Sequence, residues 1–74
     1  MSREEATAMR VLIKLRAEER YLVSPGVWTP DVTEAKDFKS LLPALDYQRE
    51  HKLNGVEAFF CFDESKYNFA LRIS

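Results

Sequence analysis

Apolar and polar residues alternate along several stretches of this chain and fall into helical spacing along another. Arg10 to Arg16 reads RVLIKLR. Val11, Ile13 and Leu15 share one side of an extended chain, and Arg10, Leu12, Lys14 and Arg16 share the other, which is strand periodicity. Ala17-Glu18-Glu19 suits a turn. Arg20 to Val23 (RYLV) is a second β-rich run, so the two predict a hairpin. Ser24-Pro25-Gly26 ends it, because proline lacks an amide donor and glycine accepts positive φ. Further on, Val56 to Phe62 (VEAFFCF) carries an apolar row of Val56, Ala58, Phe60 and Phe62. Asp63 to Lys66 reads as a hairpin loop. Tyr67 to Ile73 then sets Tyr67, Phe69, Leu71 and Ile73 against Asn68, Ala70 and Arg72.

Between the two hairpins lies one helical pattern, Leu41 to Lys52. Ser40 is its expected N-cap, and Pro43 is tolerable in a first turn. Leu41, Leu42, Ala44, Leu45 and Gln48 are expected on one side; Asp46, Arg49, Glu50 and Lys52 turn to water. Asn54-Gly55 is expected to supply the left-handed residue that stops it, with His51 and Lys52 favouring the dipole. Val27 to Phe38 is the least regular stretch. Thr29-Pro30 resembles a helix start, and one turn over residues 31–36 brings Ala35 and Phe38 towards the core together.

The sum is an α+β fold, ββαββ: a four-stranded, antiparallel-rich sheet with one principal helix on one face. The helical crossover makes the second and third strands parallel in direction. Residues 10–74 are expected to form a single domain. Residues 1–9 form a flexible or short helical arm, with Ser2 and Glu5 at capping-box spacing. The expected core is Trp28, Phe38, Leu45, Phe60 and Phe69.

Composition narrows the function classes. Hydrophobic residues are 46% and charged residues 31% of the 74, a globular balance. No apolar run approaches the ~20 residues of a membrane span, and MSREEATAM has no apolar core of a signal peptide. Eleven basic and twelve acidic side chains leave a net charge of -1, which argues against nucleic-acid binding. The one cysteine, Cys61, cannot form an internal disulfide, and a reducing cytoplasm is the expected location.

Tyr21-Leu22, Gly26-Val27-Trp28-Thr29, Ala35-Lys36-Asp37-Phe38, the helix from Leu41 and Val56-Glu57-Ala58-Phe59 follow one another in a spacing that resembles a group of small uncharacterised bacterial proteins. The resemblance covers roughly residues 12–62, by spacing alone. It implies a fold and no activity.

Candidate chemistry is thin. His51 is the only histidine, and no second one completes a ligand set; a solvated helix end accounts for it. Cys61 lies between Phe60 and Phe62, an apolar setting that suits a structural thiol better than a nucleophile. Asp31, Glu34 and Asp37 recur every third residue but are interrupted by Lys36, and acidic groups near a helix start are ordinary. Ser24-Pro25-Gly26 lacks the lysine and glycine run of a phosphate loop. No catalytic residue, metal ligand or cofactor is predicted, and the chain is not expected to be an enzyme. Trp28 and Phe38 as walls of a small-ligand pocket form one alternative.

The strongest functional signal is the sheet face away from the helix. Alternation sends Arg10, Leu12, Lys14, Arg16, Glu57, Phe59, Cys61, Asn68, Ala70 and Arg72 outwards. An apolar centre with a charged rim resembles a protein interface. The expected function is therefore a protein-interaction domain, a homodimer or a complex with another protein, using Leu12, Lys14, Arg16, Phe59, Cys61, Ala70 and Arg72. The alternative on the same face is a single-stranded nucleic-acid binder, with Phe59 stacking a base and the cations holding phosphates.

Overall fold

The computed structural model describes residues 9–74. Met9–Leu15 (β1) is the central strand, and Val11, Leu12, Ile13 and Lys14 in its middle are buried in succession, on both faces of the sheet. Tyr21–Ser24 (β2) and Val27–Thr29 (β3) lie to one side of it, and Val56–Phe62 (β4) and Phe69–Arg72 (β5) to the other. The order across the sheet is β3-β2-β1-β4-β5, and every neighbouring pair is antiparallel. The one α-helix among the described residues, Leu41–Glu50 (α1), follows β3. The class is α+β, but the order among the described residues is βββαββ, with five strands rather than four. Ser24-Pro25-Gly26 does not end the pairing; Gly26, at φ 76, reverses the chain so that Tyr21 pairs Thr29 and Leu22 pairs Trp28. Three residues are too few to display a period, which is why β3 is invisible in the pattern. β2 and β4 do run in the same direction, with β1 between them. Met9, assigned by the pattern to the arm, pairs Phe62 within β1; the rest of the arm, 1–8, lies outside the described residues.

The helix-side face is a grid of apolar side chains in cross-strand register. Met9 faces Phe62; Val11, Phe60 and Phe69 form a second row; Ile13, Ala58 and Leu71 a third; and Leu15, facing Val56, begins a fourth. Val11, Ile13, Leu22, Phe38, Ala44, Val56, Ala58 and Phe60 are buried there as one cluster. Trp28, opposite Leu22 on β3, packs against it half-buried. The helix meets the cluster through Leu41, Ala44 and Tyr47, at i, i+3 and i+6. Ala44, small enough for close approach, is its one buried residue, and Tyr47 lies edge-on to Phe38 at 5.2 Å between ring centroids. This is a different stripe from the expected one. Leu42 is 68% exposed and Leu45, expected in the core, is only half-buried. The Tyr47 hydroxyl is buried without a hydrogen-bond partner among the described residues.

β1 and β2 share one register pair, Lys14 with Tyr21, and then part. The segment Ala35–Phe38 fills the gap between them. Lys36 N–H donates to Leu22 O (2.8 Å) and Phe38 N–H to Val11 O (2.8 Å). The Asp37 carboxylate accepts from the amides of Val11 (3.1 Å) and Lys39 (2.8 Å). The chain thus crosses from one face of the sheet to the other: Ala35 is buried with Leu12 and Tyr21, and Phe38 with Val11 and Ile13. Ala35 and Phe38 were expected to face the core together from a helical turn. The turn is a 3-10 turn, Val32–Glu34, and it stops before Ala35, which is extended.

The helix ends in a Schellman arrangement: Leu53 N–H donates to Gln48 O and Lys52 N–H to Arg49 O. The left-handed residue is Lys52, at φ 53, and not Asn54-Gly55. Gly55 is also left-handed (φ 69) but lies beyond the motif. A lysine there carries a Cβ penalty that glycine avoids. Lys52→Gly is expected to stabilise the protein by about 1 kcal/mol, read as a melting midpoint raised by roughly 4–8 °C. An unchanged or lower midpoint would place the helix stop elsewhere.

Candidate interaction surface

The outer face is built on one row that spans all five strands, Thr29, Tyr21, Lys14, Glu57 and Arg72, in register. Leu12, Phe59 and Ala70 form the next row, and Arg10 and Cys61 begin the third. The first row is polar but tied together. Lys14 Nζ lies 3.3 Å from the Glu57 carboxylate and donates to Leu15 O at 2.9 Å. The Tyr21 hydroxyl donates to Glu19 at 3.4 Å. Burial, together with that nearby carboxylate, pushes the Tyr21 phenol above its usual value.

The centre of this face is not free. The 3-10 turn brings Val32 and Ala35 over Leu12, Tyr21 and Phe59 as a second apolar cluster. Asp31 holds the turn in place: its carboxylate accepts from the Thr33 amide (2.9 Å) and hydroxyl (2.7 Å). Those two bonds keep the Asp31 carboxyl below its usual range. The Arg10 guanidinium adds a bond to Ala35 O at 3.0 Å. A single helix cannot cover both faces of a sheet, but here a short turn covers the middle of the second.

Leu12, expected at the interface, is fully buried, and Lys14 is nearly so. Phe59 is half-buried, its ring 5.7 Å from Tyr21. Cys61 is free and half-buried, with the Asn68 amide 3.9 Å from Sγ. Arg16, Ala70 and Arg72 are exposed as expected for a surface, at the margins of that face. Of the four cations expected to hold phosphates, Arg10 and Lys14 are engaged within the fold. His51 is exposed and lies against Tyr47, 4.1 Å between ring centroids. Asp31, Glu34 and Asp37 do not converge: Asp31 caps the turn, Glu34 accepts from the Thr29 hydroxyl (3.5 Å), and Asp37 pins the crossing segment. Among the described residues, no three His, Cys, Asp or Glu side chains come together, and no helix is long and apolar enough to cross a membrane.

The exposed apolar surface lies on the other side of the sheet, at β5. Exposure on the helix side rises from column to column. Val11 and Ile13 on β1 are fully buried, Phe60 on β4 is buried, and Phe69 and Leu71 on β5 are 50% and 45% exposed. Phe69, expected in the core, lays one ring face on Phe60 (4.5 Å, 7° between planes), has the Phe62 ring 6.2 Å away, and leaves half its surface exposed. Tyr67, just before β5, is 60% exposed. Strand spacing and helix width account for this. A helix about 10 Å across covers roughly two strands about 4.8 Å apart, so an edge column of a five-stranded sheet stays uncovered.

No protein-family model matches the chain, and no curated protein or solved structure matches it. The residues of the spacing resemblance all have structural work: Tyr21-Leu22 in β2, Gly26 in the turn, Trp28-Thr29 in β3, Ala35 and Phe38 at either end of the crossing.

Proposed function

We propose that this chain is a cytoplasmic, non-enzymatic protein-interaction domain that docks through the uncovered apolar column of β5. One observation carries the reading. On a helix-side face that is apolar in every paired position of β1, β4 and β5, the β5 column alone leaves its large side chains, Phe69 and Leu71, about half exposed. Apolar surface with a charged neighbour such as Arg72 is what a protein partner covers. The outer face, with its centre already covered by Val32 and Ala35, favours this surface over the one that alternation singles out. A single free cysteine suits a reducing compartment.

Leu71→Asp tests the reading. Leu71 is exposed on an edge strand, so the substitution is expected to cost about 1 kcal/mol of stability and leave the fold intact by circular dichroism. Affinity capture with wild-type and variant baits is expected to recover protein partners that the variant loses. If the variant unfolds, the column belongs to the core. If it retains every partner, the contact is made elsewhere.

A further inference from the structure

We infer that the partner at this surface is a second copy of the chain, joined β5 to β5 in antiparallel register about Ala70. The inference rests on the interaction reading above and adds the identity of the partner and the register of the contact. It starts from the backbone of β5. Ile73 N–H donates to Val56 O, and the Phe62 amide, which also points towards β5, is met by the Asn68 side chain at 2.7 Å. Backbone groups of successive residues point to opposite sides of a strand. Phe69, Leu71 and Ile73 therefore direct their amides and carbonyls at β4, and Ala70 and Arg72 direct theirs at the open edge. β4 is the one strand paired with β5 among the described residues.

An outward set of amides and carbonyls is a template for another strand. In the register about Ala70, Ala70 exchanges two bonds with its own counterpart and the Arg72 amide donates to the second copy's Asn68 carbonyl; the Asn68 amide itself stays within its own chain, donating to Ser65 O at 3.0 Å. Side chains agree with that choice. On the helix side, Phe69 meets the second copy's Leu71 in the closer, non-hydrogen-bonded type of pair, and Leu71 meets Phe69 in turn. On the outer side, Ala70 meets Ala70 and the cationic Arg72 meets neutral Asn68. A shift that placed Arg72 against Arg72 would oppose like charges. The apolar grid then runs without interruption from β1 of one copy to β1 of the other.

The other edge does not compete. β3 has three residues and sits between Pro25 and Pro30, a setting that blunts pairing. Contact between identical edges closes as a two-fold dimer, whereas β3 against β5 would open into a filament. The seam is short, so the buried area lies towards the low end, below about 1,200 Å², and dissociation in the micromolar range is expected.

Sedimentation equilibrium of the full chain up to a few hundred micromolar is the test. Wild type is expected to dimerise. Ala70→Pro removes an amide that strand alternation directs away from β4 and is expected to be monomeric throughout. Ala70→Lys sets two ammonium groups across the two-fold axis and is expected to raise Kd at least about tenfold, more so at low salt. Ala70→Cys, in a Cys61→Ser background, is expected to form an intermolecular disulfide on oxidation, since facing Cα atoms about 5.5 Å apart are within bridging range. A wild-type monomer at the highest concentration, or a dimer indifferent to Ala70→Lys, overturns self-pairing. If Leu71→Asp still abolishes capture of another protein, the interaction surface stands with a different occupant; if it abolishes nothing, both fail.

Discussion

Phe38→Ala is expected to unfold most of the protein. Phe38 is 7% exposed, packs with Val11, Ile13, Leu22 and Ala44, and receives Tyr47 edge-on. Truncating a buried phenylalanine costs about 3–5 kcal/mol, and a domain of this size is expected to hold only about 3–5 kcal/mol in total. The loss goes beyond a cavity. Phe38 is the point at which the crossing segment enters the helix-side core, and its amide closes the gap at Val11. Loosening it exposes the parted ends of β1 and β2 and frees α1, which reaches the sheet through the same cluster. Urea denaturation should show a midpoint lowered to near zero denaturant. A midpoint within a few tenths molar of wild type would mean that the crossing segment is held by its hydrogen bonds alone.

Leu12→Ala is expected to cost about 2–5 kcal/mol, the range for a buried leucine. Its side chain points away from the helix, where alternation alone predicts a surface residue worth less than about 0.5 kcal/mol. Leu12 is nevertheless fully buried, among Tyr21, Ala35, Val32 and Phe59. The substitution therefore measures whether the second cluster contributes as a core. At roughly 4–8 °C per kcal/mol for a domain of this length, the melting midpoint should fall by at least about 8 °C. A shift under about 3 °C would show that the 3-10 turn lies over Leu12 without packing on it, and would return the outer face to the list of docking surfaces.

Both predictions depend on the stretch the pattern read least well. β1, β4 and the alternation of β5 were legible because a strand buried on one face must place apolar residues at every second position, and seven residues of β1 and of β4 repeat that constraint enough times to be seen. The helix was legible from its length and from Ser40, although Ser40 makes no side-chain cap bond. Its stop was misplaced, since a lysine in the left-handed region leaves no mark in the sequence. β3 escaped notice because its three residues depend on β2 for their extended form. The interface candidates divided for a similar reason. Which residues share a face follows from the period of two, and Leu12, Phe59 and Ala70 do share one. Whether that face is wet depends on what lies over it.

By itself, then, the sequence determined the α+β class, the two faces of the sheet and the position of its helix. These follow from local rules: a repeat of two or of 3.6, and a cap. Only the tertiary structure decided which apolar residues are buried. It carried Ala35–Phe38 through the gap between β1 and β2, set Val32 and Ala35 over Leu12, and left Phe69 and Leu71 beyond the reach of a ten-residue helix. Burial is a property of neighbours brought together from distant positions, and no window of sequence contains both Leu12 and Ala35.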